Sequence, residues 1–178
     1  ESGEELSDEL NWIKFSGASW YKDGFYYSRY PTPEEGTELS GDLQAQSIYY
    51  HVIGTDQSED KLVFSDPENP RMIMSASVTQ DEEILLLYKR TGSSSENEGW
   101  FRDASSDDDL QPLFEGFDAQ YSVVDHYEGN FYVRTNKDAP RYRLVRVSVA
   151  DPSQQTDIIP QKEEVLDGIS RGGGKFFA

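Results

Sequence analysis

No cysteine occurs in the 178 residues, so neither a disulfide framework nor a thiolate metal site can form. Basic residues are scarce. Sixteen Lys and Arg stand against 34 Asp and Glu, a net charge of −18, which repels phosphate backbones and anionic lipid and argues against nucleic acid or a membrane surface as a partner. Such acidity speaks first to solubility or salt adaptation, and cationic peptides would be its electrostatic beneficiaries. Apolar runs are short, none nearing the ~18 residues of a membrane-spanning helix, and the acidic N-terminus is unlike the basic start of a signal peptide. A soluble protein of the cytoplasm or periplasm is expected. Hydrophobic residues make up 35%, below the usual level of about 45–50%, which does not guarantee a large core. One domain, or part of a larger one, fits this length.

What is present is a succession of short runs rich in aromatic and β-branched residues, separated by turn signals. Ala18 to Tyr21, Gly24 to Tyr30, Ser47 to Gly54 and Lys61 to Ser65 form a first group of four predicted strands. Met72 to Val78, Glu83 to Lys89, Gly99 to Asp103 and Gln111 to Glu115 form a second, with Thr79-Gln80-Asp81-Glu82 as a polar hairpin loop. Ala119 to Asp125, Asn130 to Arg134, Tyr142 to Val149 and Asp157 to Pro160 form a third, and a partial group of roughly two strands runs from Val165 to Ala178. Groups of four recurring at about 45–50 residues are the spacing of β-propeller blades. Asp23-Gly24 and Glu128-Gly129 are read as tight turns, glycine being tolerant of positive φ.

No segment sustains a capped helical period. Leu6 to Ile13 comes nearest, but Glu9 to Phe15 also suits an outer strand, which is the expectation adopted. The polar stretches Thr32 to Gln46, Gly92 to Glu98, Ala104 to Asp109 and Asp151 to Thr156 read as exposed connections.

Reactive constellations are few. Gly-x-Ser-x-Gly occurs once, from Gly168 to Gly172, but no helix pattern follows it, so the strand-to-helix elbow that exposes a serine nucleophile is not expected there. His51 and His126 are expected to be structural or surface residues, because a triad is defined by mutual geometry. Asp107-Asp108-Asp109 lacks the alternating ligands, glycine and distal glutamate of a calcium loop and reads as a solvated acidic turn. The acidic pairs Glu34-Glu35 and Glu82-Glu83 read as hydrated. Gly172-Gly173-Gly174 reads as a hairpin turn, since no Lys-Ser/Thr ending or helix follows as in a phosphate loop. No metal and no cofactor is expected.

Two stretches are more specific. Lys14-Phe15-Ser16 with Trp20 to Pro31, and Tyr-Tyr-His-Val-x-Gly-Thr-Asp-Gln-Ser-Glu-Asp from Tyr49 to Asp60, resemble the propeller of the prolyl oligopeptidase family; Thr135-Asn136 with Tyr142-Arg143-Leu144 extends the likeness along nearly the whole chain. The second group of strands matches mainly in pattern. The resemblance implies a seven-bladed propeller stacked on an α/β-hydrolase domain that hydrolyses short peptides after proline. It also implies that these residues are an all-β propeller fragment of about three and a half four-stranded antiparallel blades. Residues 1–15 would end one blade, residues 16–66, 70–116 and 117–161 would form three more, and residues 163–178 would open the next.

By the same resemblance Phe15, Ile73, Arg90 and Ser93 fall where the family's propeller lines the substrate pocket. Ser93 stands where mammalian members carry a cysteine, so thiol-reactive inhibition should not carry over. The alternative for Phe15 is a core residue, and for Arg90 a solvated strand end. The implied partners are a proline-containing oligopeptide, the hydrolase domain and the remaining blades, with self-association of the chain as a further expectation. A non-enzymatic binding module and an oligopeptidase B-like peptidase are the alternative readings.

Overall fold

The computed structural model describes residues 3, 5–36, 44–172 and 175–178. Among them the regular elements are strands, apart from one 3-10 turn at Gln57–Glu59. Asp56 caps that turn by accepting the Ser58 N–H at 2.8 Å.

Three antiparallel sheets follow chain order. The first is β1 (Ser19–Tyr21), β2 (Gly24–Arg29), β3 (Ser47–Val52) and β4 (Lys61–Phe64). The second is β5 (Met72–Val78), β6 (Ile84–Thr91), β7 (Asn97–Asp103) and β8 (Gln111–Phe114), and the third is β9 (Tyr121–Tyr127), β10 (Asn130–Thr135), β11 (Arg143–Ser148) and β12 (Gln155–Ile159). An antiparallel pair, β13 (Ser170–Gly172) and β14 (Lys175–Phe177), comes last. This is the all-β, blade-like pattern expected from the turn spacing. Of the triple glycine, Gly173 and Gly174 lie outside the described residues.

The described chain forms two compact units, one reaching to Val78 and including Leu87–Gly92, the other comprising Thr79–Leu86 and Ser93–Ala178. In the first, pairing sets the faces of the sheet. Trp20 lies opposite Phe25 and Phe25 opposite His51, so these three share one face, while Ser19, Tyr26 and Tyr50 share the other. The second face packs against β5, where the Val78 N–H donates to Ser19 Oγ at 2.9 Å. Tyr26, Ile48, Met74 and Leu87 are buried there. In the second unit Phe131, Val133, Leu144, Val145 and Val147 are buried on β10 and β11. Phe101 meets Phe131 edge-on at 5.1 Å, a favoured aromatic geometry. Asn97 joins β7 to the start of β9 by donating to the Tyr121 carbonyl and accepting its N–H, at 3.0 and 2.8 Å.

Three sequence expectations are corrected. Residues 9–15 form no strand: Trp12 and Phe15 have φ of 59° and 55°, which breaks an extended run, and the segment lies as an irregular strap. Gln46, placed in an exposed loop, is fully buried; residues 37–43 of that loop lie outside the described residues. The turn between β1 and β2 does not use a left-handed glycine. Lys22 takes the positive φ, at 50°, and Gly24 serves close approach instead, since a Cβ there would stand 1.9 Å from the His51 carbonyl oxygen. At the β9–β10 turn, by contrast, Glu128 and Gly129 both have positive φ, as a type I′ hairpin requires.

Candidate functional site

The strap of residues 8–16 carries Phe15 and is fastened along its length. Asp8 Oδ1 accepts the Gly54 N–H at 2.8 Å. The Asn11 N–H donates to Gln57 Oε1 at 3.0 Å, and Gln57 Nε2 donates back to the Asn11 carbonyl at 3.2 Å. The Trp12 carbonyl accepts the Tyr30 N–H at 3.0 Å. The Lys14 carbonyl accepts Gln46 Nε2 at 2.9 Å, and Ser16 Oγ accepts the Ser28 N–H at 2.8 Å. Phe15 thus sits between two anchored neighbours in a left-handed conformation, a costly state for a bulky residue that persists only where its surroundings enforce it. Its side chain is 65% exposed. The core alternative for Phe15 is therefore excluded: the fold presents this ring to solvent.

Ile73 lies near the start of β5 and Arg90 near the end of β6, which antiparallel pairing brings to one end of the sheet. The Arg90 guanidinium donates to the Gly92 carbonyl at 2.7 Å. Tyr30 feels it as well: burial pushes its hydroxyl above the ordinary value while the Arg90 charge opposes the rise. A cleft of about 540 Å³ opens here, lined by residues 68–72 with Thr91 and Gly92. Ile73 and Arg90 flank these lining residues in sequence without themselves lining the cleft. On β6 next to Arg90, the Lys89 ammonium pairs with Asp66 at 3.0 Å, with both side chains nearly buried. Burial works to raise the Asp66 carboxyl, but bonds from Lys89 and Asn69 outweigh it and hold the group below its ordinary value. Ser93 is exposed and belongs to the other unit.

Both histidines are committed to carboxylates. His51 Nδ1 lies 2.7 Å from Asp60 Oδ1, with both side chains fully buried. Asp60 Oδ2 accepts the Tyr27 hydroxyl at 2.5 Å, and Tyr27 in turn accepts from Gln57 at 3.0 Å. Burial, then the bond to Asp60, pushes the Tyr27 hydroxyl well above its ordinary value, so it acts as a donor. In the second unit His126 Nδ1 lies 2.7 Å from Asp81 Oδ2, while Asp81 Oδ1 accepts from Thr79 Oγ1 at 2.6 Å and from the Glu83 N–H at 3.1 Å. Burial works to raise the Asp81 carboxyl, but those bonds prevail and hold it below its ordinary value. Potential ligand atoms of Asp81, Glu83 and His126 lie within 4.8 Å of one another. The 2.7 Å spacing of Nδ1 and Oδ2 is that of a hydrogen bond. The Asp107–Asp109 run already faces a cation of the protein's own, Arg102, whose Nη1 is 3.6 Å from Asp107 Oδ1.

This constellation offers an exposed ring on a braced strap, a guanidinium, an apolar side chain and a cleft. These are means of holding a peptide. Sequence reading missed Gln46, Ser16 and the Asp60 network; the only signal for them was their place in or beside the two most specific sequence stretches.

Residues 1–178 match the sequence family described as prolyl oligopeptidase, N-terminal β-propeller domain. The chain is 38% identical to a prolyl endopeptidase of Elizabethkingia meningoseptica, covering 100% of this chain and 25% of that protein. It is 36% identical to prolyl oligopeptidase A of Galerina marginata, over 97% of this chain and 25% of that protein. Among solved structures, prolyl oligopeptidase B of Galerina marginata bound to a 25mer macrocyclization substrate superposes with a TM-score of 0.86 at 29% identity, over 93% of this chain and 24% of that one. The chain therefore spans about a quarter of the length of the relatives it matches.

Proposed function

Because the chain belongs to the prolyl oligopeptidase family, as its N-terminal β-propeller region, we propose that it is the substrate-admitting part of a serine peptidase that cleaves short peptides after proline. In this reading Phe15, Ile73, Arg90 and Ser93 line the peptide pocket, and the hydrolase domain and other blades complete it. The blades divide at residues 16–66, 70–116 and 117–161, with residues 1–15 and 163–178 belonging to their neighbours, and the protein works in the cytoplasm or periplasm. One observation carries the proposal: Phe15 is held exposed, at a strained φ, by bonds on either side. Strain of this kind gathers at binding sites.

The test is steady-state kinetics of the full-length protein on a chromogenic Gly-Pro substrate. Phe15→Ala should raise KM by roughly 5- to 160-fold with a smaller change in kcat, the loss of about 1–3 kcal/mol of apolar burial. Arg90→Ala should also weaken binding, by removing a charge-assisted hydrogen bond to a substrate carbonyl. An unchanged KM in both variants puts these residues outside the pocket. The 178 residues alone should show only background turnover in the same assay, since their one Gly-x-Ser-x-Gly run, Gly168 to Gly172, enters the β13–β14 strand pair and not a strand-to-helix elbow.

Self-association of the 178-residue chain belongs to the same proposal. Trp20 and Leu62 are 65% and 50% exposed on one face of the first sheet, an apolar surface that a second copy could cover. Light scattering decides it, and a monodisperse monomer near 20.3 kDa removes it.

A further inference from the structure

Gln46 lies at the end of the polar loop before β3, yet it is fully buried. Its side-chain amide reaches in two directions. Nε2 donates to the Lys14 carbonyl at 2.9 Å, and Oε1 accepts the Met74 N–H at 2.7 Å. Lys14 immediately precedes Phe15, and Met74 immediately follows Ile73. One amide therefore ties the backbone beside one proposed pocket residue to the backbone beside another, across sequence separations of 32 and 28 residues. The orientation of the amide is not arbitrary. A backbone N–H can only donate and a carbonyl can only accept, so the oxygen must face Met74 and the nitrogen Lys14. The residue before it reinforces the clamp. Ala45 has a left-handed φ of 60° and its N–H donates to the Pro70 carbonyl at 2.6 Å, fixing the loop end against the segment that leads into β5.

We infer that Gln46 is a positioning residue for peptide binding, setting the separation of the Phe15 strap from the Ile73 strand. The inference rests on the reading that Phe15 and Ile73 line the pocket. Phe15 cannot hold its left-handed backbone by its own preference; the Lys14 carbonyl on one side and Ser16 on the other must be held, and Gln46 holds the first. Because both of its partners are backbone groups, substitutions at Lys14 or Met74 that keep the backbone in place leave the clamp intact. Among the described residues the side chain at position 46 supplies it.

The substitution that separates a clamp from mere filling of space is Gln46→Glu. It has nearly the same shape, but an ionised carboxylate can only accept, whereas the protonated acid regains a donor. Burial and the facing Lys14 carbonyl raise the pH at which the introduced acid ionises; above that pH, Gln46→Glu should keep the Met74 N–H bonded and release Lys14. As pH falls and the buried acid takes up a proton, the Lys14 bond returns. In the full-length protein, KM for a Gly-Pro substrate should accordingly rise about tenfold or more in Gln46→Ala at every pH, and in Gln46→Glu only while the acid is ionised. In both variants kcat should stay within about twofold of the parent. Amide hydrogen exchange supplies a readout independent of activity: Met74 should lose protection by about tenfold or more in Gln46→Ala and keep it in Gln46→Glu, while the amide of Tyr30, bonded to the strap at Trp12, loosens in both.

A KM that is unchanged in both Gln46 variants while Phe15→Ala raises it overturns the positioning role and leaves the pocket reading standing. If Phe15→Ala and Ile73→Ala also leave KM unchanged, the pocket reading fails and takes the positioning role with it. If Gln46→Ala does not fold, the pH-dependent KM of Gln46→Glu carries the test, and a profile parallel to that of the parent refutes it.

Discussion

Asp60→Ala should destabilise the first compact unit by about 3–5 kcal/mol, the range observed when one partner of a buried pair is removed. The Asp60 carboxylate serves two buried donors at once, His51 Nδ1 at 2.7 Å and the Tyr27 hydroxyl at 2.5 Å. The side chains of His51 and Asp60 are wholly withdrawn from water, so the alanine variant takes the acceptor away from a ring N–H and from a phenolic O–H that keeps only the bond it accepts from Gln57. Each unsatisfied group alone costs about 1–3 kcal/mol. The other His51 nitrogen offers no relief. Nε2 lies 3.7 Å from Asp8 Oδ1 and has no hydrogen-bond partner among the described residues, which leave the ring one bond. A domain's whole margin is about 5–15 kcal/mol, which makes this loss decisive. Asp60→Asn, which keeps the shape and one acceptor, should cost distinctly less. Urea unfolding followed by near-ultraviolet circular dichroism of the tyrosines gives the comparison, and a loss below about 1 kcal/mol for Asp60→Ala would falsify the view that this network holds the unit together.

The same network bears on the site, because the strap is fastened to it. Gln57 donates both to Tyr27 and to the Asn11 carbonyl, and Asp8 approaches His51 from the strap. Loss of Asp60 should therefore loosen the segment that presents Phe15 as well as lower stability. A chain of hydrogen bonds with two buried members transmits the change from core to surface.

Much of the sheet structure was open to sequence reading because it follows from local chemistry. Met72–Val78 is a strand with the expected bounds, and most others differ by a residue or two, as for β9, which starts at Tyr121 instead of Ala119. The run Ile84-Leu85-Leu86-Leu87 is buried throughout, as a strand covered on both faces should be. The strap was misread for an equally physical reason. Glu9-Leu10-Asn11-Trp12 and Ile13-Lys14-Phe15 each alternate polar with apolar residues much as a strand does, but the segment's bonding partners are Gln57, Tyr30 and Gln46, all distant in sequence. Gln46 was hidden by its surroundings: within a polar loop, nothing in composition distinguishes the one amide that turns inward. The pairing of His51 with Asp60, and of His126 with Asp81 across 45 positions, likewise depends on the folded chain. The proposed pocket residues are reached only through family resemblance, since an exposed phenylalanine and a strand-end arginine carry no mark of function on their own.

Gly24→Ala should cost about 3 kcal/mol, at the upper end of what overpacking usually does, because the clash is with backbone. The added Cβ would lie 1.9 Å from the His51 carbonyl oxygen and 2.9 Å from its carbon, with Tyr50 Cζ at 3.0 Å. A side chain could rotate away; a strand carbonyl between paired neighbours cannot. Relief requires β2 and β3 to separate where Gly24 pairs with Val52 and Phe25 with His51. That movement pulls His51 from Asp60, so the two substitutions act on one structure. Gly24→Ala combined with Asp60→Asn should cost less than the sum of the two alone, with an interaction of about 0.5–3 kcal/mol, whereas sites that do not share a partner add within about 0.5 kcal/mol. Thermal or urea melts of the two single variants and the double variant measure this directly. Strict additivity would show that the glycine matters to the hairpin alone and that His51 keeps its carboxylate when the strands part.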